Sequence, residues 1–237
     1  QQLSTNKLEI ENEYYSAVRP KRVARSGERP TAALRRGGIE YVEIRSLDLS
    51  VSDPAGINQN AMRFIEAFLI YCLLEESPPF DAGSFEEALN NQSLTAKRGR
   101  EPGLKLHRDG KPVDLLDWAR EIVDKVAAVA ELIARHEGDG SYRDAVSVAA
   151  SHVAEPESTP SARLLQELRD AKSSFFEFAL DLARRDKRYF SSIAPMPPER
   201  AQQMEKEALE SIQRQHDIEA ADDLSFEDYL ARYFASG

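Results

Sequence analysis

The sequence predicts an α+β protein, because strand-like residues at its beginning give way to helical periodicity over the rest of its length. Residues 1–50 contain β-branched and aromatic residues between proline and glycine breaks, which is typical of strands. Residues 51–237 repeat apolar residues at helical spacing. Since the strand-forming part is too small to bury a core of its own, we expect both parts to pack in one domain.

Two segments of the first part predict strands. Residues 15–25 are interrupted by Pro20, which cannot donate a hydrogen bond to a neighbouring strand and therefore favours a sheet edge. Residues 39–49, IEYVEIRSLDL, follow the pair Gly37-Gly38 and form the best strand candidate. So few strands need either covering helices or further strands, and we expect the chain to be the C-terminal part of a longer protein.

Apolar spacing predicts five helices after Pro54. The first is apolar on most sides, as expected of a helix buried among others, and the second has Gly138 as its stop. The fourth is so polar that we expect it on the surface. The fifth begins with Ser225 as its cap and has Asp228 three residues later. The five predicted helices cover residues 57–76, 113–137, 160–186, 198–217 and 225–234.

Composition excludes several classes of protein. The longest apolar stretch, residues 67–74, is far shorter than the roughly 20 residues that cross a bilayer, so no membrane partner is expected. The net charge of −10 disfavours a nucleic-acid partner. The single cysteine, Cys72, cannot form a disulfide within the chain, which favours a cytoplasmic protein. Its apolar helix predicts a buried, inert thiol.

Positive charge is concentrated near the start of this acidic chain. Residues 1–50 hold nine Lys and Arg against seven Asp and Glu. From Arg19 to Arg36, seven cations accompany a single acid, Glu28. We call residues 19–36 the basic segment, and we expect it to attract anions.

The pair Glu43 and Arg45 is the first candidate for chemistry. Residues two apart in a strand point to the same face, so these two side chains would lie together in a strand whose two faces are both largely apolar. Burying them costs several kcal/mol per ion unless they pair or meet a ligand. Two interpretations follow, a structural ion pair or a divalent-cation ligand beside a guanidinium that neutralises phosphate.

The same alternation applies to the basic strand. If Tyr15 faces a site, Arg19 and Lys21 face it too, and both are good phosphate ligands. The alternative is a solvated basic edge, since exposed edge strands often carry lysine and proline.

Three strings of residues together resemble the proteobacterial type of the glutamate–cysteine ligase family, also called gamma-glutamylcysteine synthetases. They are ENEYYSAVRPKRVARSGERP at residues 11–30, LRRGGIEYVEIRSLDL at 34–49 and DPAGINQNAMRFIEAFLIYCLL at 53–74. The resemblance continues through GREPGLKL at 99–106 and TPSARLL at 159–165, and spans nearly the whole chain. It identifies the chain as similar to the C-terminal half of these enzymes.

The resemblance implies a glutamine-synthetase-like antiparallel catalytic sheet, whose last strands lie in residues 1–50, followed by a helical region in residues 51–237. It implies that ATP phosphorylates the side-chain carboxylate of L-glutamate and that the amine of L-cysteine attacks the acyl phosphate. By position in the family pattern, Glu43 would be a ligand of the active-site Mg²⁺, Arg45 would meet the transferred phosphoryl group, and Tyr15 would line the cysteine pocket.

Two departures limit what the resemblance implies. Residues 98–104 read RGREPGL where the family often shows EGRKPGL, so no role is assigned to them. The remaining metal ligands, the catalytic histidine and most substrate contacts of the family lie upstream of residue 1. We therefore expect the isolated chain to be inactive and to need the N-terminal half of the enzyme.

Two other functions stay open at this point. The chain could belong to a ligase of the same fold that joins glutamate to a different amine, because these residues define phosphoryl transfer better than they define the acceptor. Alternatively it could be a non-enzymatic helical interaction module whose basic segment docks an acidic partner.

Overall fold

The computed structural model describes residue 8 and residues 13–235 of the chain. Their helices and strands fall into two compact units, one formed by the described residues of Gln1–Asp48 and Ile193–Gly237 and the other by Leu49–Ser192. Among the described residues, two antiparallel strand pairs accompany helices that contain most of the residues, so the predicted α+β class is confirmed. The predicted packing of 1–50 and 51–237 within one domain stays a prediction.

In its described residues, the first unit contains two strands and three helices. They are β1 (Val18–Lys21), α1 (Pro30–Gly37), β2 (Tyr41–Ile44), α8 (Pro198–Ala221) and α9 (Phe226–Ala235). The second unit contains α2 (Gln59–Leu74), α3 (Ala82–Arg98), β3 (Lys105–Arg108), β4 (Lys111–Asp114), α4 (Leu115–Glu137), α5 (Ser141–Ala154), α6 (Pro160–Ala171) and α7 (Phe175–Ser192).

Strands β1 and β2 form an antiparallel ribbon. Arg19 lies opposite Glu43 and Pro20 lies opposite Val42, and the Arg45 amide donates to the Ala17 carbonyl over 2.8 Å just beyond the strands. This bond places Pro20 at a position whose nitrogen points away from β2, so its missing N–H removes no bond from the pair. The ribbon is the frame on which the candidate site is built.

The strand predicted over residues 39–49 is shorter in the structure and less buried. Tyr41 is 49% exposed and Val42 is 40% exposed, so the expectation of a strand buried on both faces is wrong for this chain. The faces of a sheet are buried only when helices or a second sheet pack against them, and a ribbon of two strands cannot bury its own faces.

Helix α1, which the sequence did not predict, connects the two strands. Pro30 occupies its first turn, where a missing N–H costs nothing. Gly38 ends it with a positive φ of 72°, and its amide donates to the Leu34 carbonyl. The helix therefore sets the connection that returns the chain from β1 to β2.

The core of the second unit lies between α2, α4 and α5. Its buried residues are Ala67, Val123, Val126, Val129, Ala130 and Val146. The predicted helix over 113–137 is present as α4, which starts at the Asp114 cap and ends at Gly138 with a left-handed φ of 71°. The predicted helix over 57–76 is present as α2, but Leu73 and Leu74 near its end are exposed rather than buried.

The helix predicted over residues 160–186 is two helices. Lys172 adopts a left-handed φ of 49° after α6. The Ser174 hydroxyl then accepts a hydrogen bond from the Glu177 amide, while the Glu177 carboxylate accepts from the Ser174 amide. This reciprocal capping box starts α7, and it explains why one continuous helix was the wrong prediction.

The last two helices match their predictions. No residue of α8 is buried, as expected from its polarity, although the helix continues beyond residue 217. The Asp228 amide donates to the Ser225 hydroxyl, which confirms the predicted cap of α9. Among the described residues, no helix combines the length and apolarity required to cross a membrane.

Substitution of Val126 tests the core of the second unit. Val126 is fully buried, so Val126→Ala removes two methyl groups and leaves a cavity, and we expect the free energy of unfolding to fall by about 2 kcal/mol. Leu132→Ala on the same helix is the control, because Leu132 is largely exposed and its truncation should change stability by less than about 0.5 kcal/mol. Urea denaturation measures both. Equal losses would contradict the described core.

Candidate active site

All five side chains that the sequence singled out lie along one side of the β1–β2 ribbon. Alternation places Arg19 and Lys21 on one face of β1, and the antiparallel register sets Arg19 directly across from Glu43. Arg45 follows two residues after Glu43. The sequence predicted each set of neighbours along its own strand, and the pairing of the strands brings the two sets together. The five residues are Tyr15, Arg19, Lys21, Glu43 and Arg45.

Glu43 lies between two cations. Its Oε1 accepts a hydrogen bond from Arg45 Nε over 2.8 Å, and its Oε2 lies 3.1 Å from Lys21 Nζ. The hydrogen bond from Arg45, followed by the contact with Lys21, lowers the pKa of Glu43 below its usual value. All three side chains are about one-third exposed, so solvent screens these contacts. Glu43 is thus held as a carboxylate.

Tyr15 adds an aromatic surface to the cluster. The Arg45 Cζ lies 4.9 Å from the centre of the Tyr15 ring, and the Arg19 Cζ lies 5.4 Å from it. Both distances are within the range in which a guanidinium is attracted to the electron-rich face of an aromatic ring. One exposed tyrosine therefore contacts both Arg19 of β1 and Arg45, which follows β2.

The Glu43 carboxylate is suited to supply one oxygen ligand to a magnesium ion. Glu43 Oε2 is enclosed and accepts no hydrogen bond, because the Lys21 ammonium is close to it but poorly oriented for one. An oxygen in this state can bind a hard cation. Across residue 8 and residues 13–235, however, no three acidic, histidine or cysteine side chains converge as a metal site would require. The remaining ligands would have to come from elsewhere.

A cleft of about 560 Å³ opens beside β1. Arg19 and Lys21 lie along it together with the hydroxyl-bearing residues Tyr14, Ser16 and Thr31. Cationic and hydroxyl groups in one concave surface suit an anionic ligand. The sequence did not single out these three residues. Thr31 lies on α1, and residue order does not reveal that α1 is close to β1, while Tyr14 and Ser16 precede β1 without a pattern of their own.

Comparison with known proteins identifies the family. The sequence model of the glutamate–cysteine ligase family matches residues 1–95. The glutamate–cysteine ligases of Azotobacter vinelandii and Alcanivorax borkumensis are 44% and 42% identical to this chain, each over 99% of it. A crystal structure of glutamate–cysteine ligase from Francisella tularensis in complex with AMP superposes with a TM-score of 0.87 at 34% identity, over 97% of this chain.

This chain belongs to the glutamate–cysteine ligase family. It spans 44% of the length of the two sequence relatives and 45% of the solved chain. The resemblance of the sequence to this family is confirmed, and the chain corresponds to slightly less than half of the ligases that it matches.

The basic segment is partly neutralised by acids of the same chain. Arg36 Nε donates to Glu28 Oε1 over 2.8 Å. This bond, followed by one from the Arg25 amide, lowers the pKa of Glu28 to about 2. Arg22 lies 3.8 Å from Glu40, and Lys21 is engaged with Glu43. These contacts leave less positive charge available to an acidic docking partner.

The loop that departs from the family pattern contains a closed ion pair. Arg98 Nε and Nη2 each donate to a carboxylate oxygen of Glu101 over 2.6 Å. The neighbouring Arg100 contacts Glu157 at 3.1 Å. The two residues that differ from the family string therefore satisfy each other, and nothing assigns them a role in the site.

Cys72 differs from its prediction. The residue is exposed on α2, so the expectation of a buried thiol is wrong. Its position in the helix nevertheless shields the sulfur enough for burial to raise the pKa of the thiol. A thiol that stays protonated fits the expectation that Cys72 is inert.

Titration of Glu43 tests the arrangement of the site. Arg45→Met and Lys21→Met should each raise the pKa of Glu43, and Arg45→Met should have the larger effect because the Arg45 bond is the principal cause of the lowered value. Carboxyl ¹³C NMR over pH 2 to 7 measures it. Arg35→Met, in the same basic segment, is the control and should leave the Glu43 pKa unchanged. An equal response to Arg35→Met would attribute the lowered pKa to net charge rather than contact.

Proposed function

We propose that this chain supplies one face of the active site of an ATP-dependent glutamate–cysteine ligase, the enzyme that catalyses the first step of glutathione synthesis. The observation that carries the proposal is the convergence of Glu43, Arg45, Arg19 and Lys21 on one ribbon face in a member of this family. Support for a nucleotide comes from the Francisella tularensis relative, which was solved with AMP. A reducing compartment such as the cytoplasm would keep the cysteine substrate as a thiol.

The proposed reaction has two transfers. A side-chain oxygen of L-glutamate attacks the γ-phosphorus of ATP, which forms an acyl phosphate and releases ADP. The amine of L-cysteine then attacks the acyl carbon, phosphate leaves, and the nitrogen loses a proton. Negative charge migrates from the nucleotide to the substrate in the first transfer, so a fixed guanidinium beside the path stabilises that transition state.

The residues of the ribbon would divide this work. Arg45 would contact the migrating phosphoryl group, and Arg19 and Lys21 would contact the phosphates of ATP in the adjoining cleft. Glu43 would orient Arg45 and offer its enclosed oxygen to Mg²⁺. Mg²⁺, when bound, would neutralise part of the negative charge of the phosphates. Tyr15 would line the cysteine pocket.

The chain alone would not complete this site. It provides a single carboxylate for the metal, and the described residues gather no further ligand group. More than half the length of the relatives lies outside the matched part. We therefore propose that the isolated chain is inactive and that the N-terminal half of the enzyme supplies the missing ligands.

The nearest alternative is a ligase of the same fold with a different acceptor amine. Every curated relative named above is a glutamate–cysteine ligase, which favours cysteine. The docking-module alternative is weakened because acids within the first unit already engage Lys21, Arg22 and Arg36.

A chimeric enzyme tests the proposal. This chain replaces the matching part of the Azotobacter vinelandii ligase, and ADP release is measured with glutamate and either cysteine or another amine. We expect ADP release that depends on cysteine. Arg45→Lys keeps the charge but loses the fork of donors, so turnover should fall by roughly 100-fold.

Arg35→Lys is the matched control, since Arg35 lies in the same basic segment on α1 and should not affect turnover. A chimera that is folded by circular dichroism yet releases no ADP would contradict the ligase proposal. Full turnover with Arg45→Lys would remove Arg45 from the mechanism, and equal stimulation by other amines would contradict cysteine as the acceptor.

A further inference from the structure

The guanidinium of Arg45 is constrained at two places. Its Nε donates to Glu43 Oε1, and its Cζ lies 4.9 Å from the centre of the Tyr15 ring. Among the described residues, neither of its two terminal amino groups donates a hydrogen bond. Arg45 is therefore anchored through Nε while the two outward donors remain open.

A single bond to Nε does not orient an arginine. The guanidinium can still swing about that bond, and a long side chain loses considerable rotational freedom when it is ordered. Contact with an aromatic ring restricts this remaining motion, because the guanidinium is attracted to the ring face. The Nε hydrogen bond to Glu43 and the contact with the Tyr15 ring together restrict the direction of the two terminal amino groups.

We propose that Tyr15 is a positioning residue that acts through Arg45. Its ring holds the guanidinium so that the terminal amino groups present a two-pronged donor to an oxyanion. The restraint itself depends only on the contacts of this chain. The identity of the oxyanion, a phosphoryl group in transfer, rests on the function proposed above.

This role differs from lining the cysteine pocket. A pocket-lining role that uses the hydroxyl is lost in Tyr15→Phe, whereas positioning by the ring is retained in that variant. Tyr15→Leu removes both. Tyr14 supplies a matched control, because it is the adjacent tyrosine, is also exposed, and has no contact with Arg45 among those described.

The first test measures the order of Arg45 in this 237-residue chain without any ligand. The ¹⁵Nε–¹H signal of Arg45, assigned by its loss in Arg45→Lys, reports how well the side chain is held. We expect its solvent exchange to accelerate several-fold in Tyr15→Leu and to be unchanged in Tyr15→Phe and Tyr14→Leu. Tyr15 is 69% exposed, so the leucine variant should fold normally, and Tyr15→Gln provides a second truncation of the ring.

Two outcomes of this first test would overturn the positioning role. One is an Arg45 signal that is unaffected by both Tyr15→Leu and Tyr15→Gln. The other is a Tyr15→Phe signal that exchanges as fast as that of Tyr15→Leu, which would place the effect in the hydroxyl.

The second test uses the chimeric ligase. We expect Tyr15→Leu to lower kcat about tenfold and to have no further effect when Arg45 is already lysine. Unchanged kcat in Tyr15→Leu would overturn the link to catalysis. An inactive parent chimera would instead count against the proposed function, while the NMR result would still decide the positioning role.

Discussion

The antiparallel register of β1 and β2 is the constraint on which the candidate site depends. Side chains alternate along a strand, so the observed register brings the arginine face of β1 to the carboxylate of β2. A slip of one residue would turn Glu43 and Arg45 away from Arg19 and Lys21. The Arg45 amide bond to Ala17 lies at the end of this pairing and extends the same register to the arginine itself.

The site concentrates positive charge around one carboxylate. Glu43 engages Lys21 and Arg45 at once, and Arg19 shares the Tyr15 ring with Arg45. Such an arrangement has more cations than it can neutralise internally, which is the electrostatic state that favours a polyanionic ligand such as a nucleotide. The exposed apolar side chains of Ile39, Tyr41 and Val42 fit the proposal that more of the enzyme adjoins the ribbon.

The sequence predicts the candidate site residues but not the strand pairing that brings them together. The separation of Glu43 and Arg45 by two positions, in an evident strand, was enough to place them on one face. No short sequence pattern predicts that β2 pairs with β1, because the two strands are separated by 19 residues that include the unpredicted helix α1. Helix α1 is short and rich in arginine, so its periodicity is too weak to detect.

Other parts of the fold were missed for different physical reasons. Helix α6 ends because a capping box at Ser174 and Glu177 competes with continued helical pairing, although the apolar spacing runs through both helices. The β3–β4 hairpin turns at Asp109 and Gly110, both with positive φ, which is a known hairpin signal. Its strands, KLHR and KPVD, carry lysines, Pro112 and a single β-branched residue, Val113, so the turn had no recognisable strands beside it.

The closed ion pair of Arg98 and Glu101 bears on how this loop diverged from its relatives. Compared with the EGRKPGL string, both positions have exchanged the sign of their charge, and the attraction between them is kept. Replacing either residue alone by its counterpart in that string would place two like charges at these positions. Because both side chains are about half exposed, solvent would screen that repulsion, so the folded state would tolerate the single replacement.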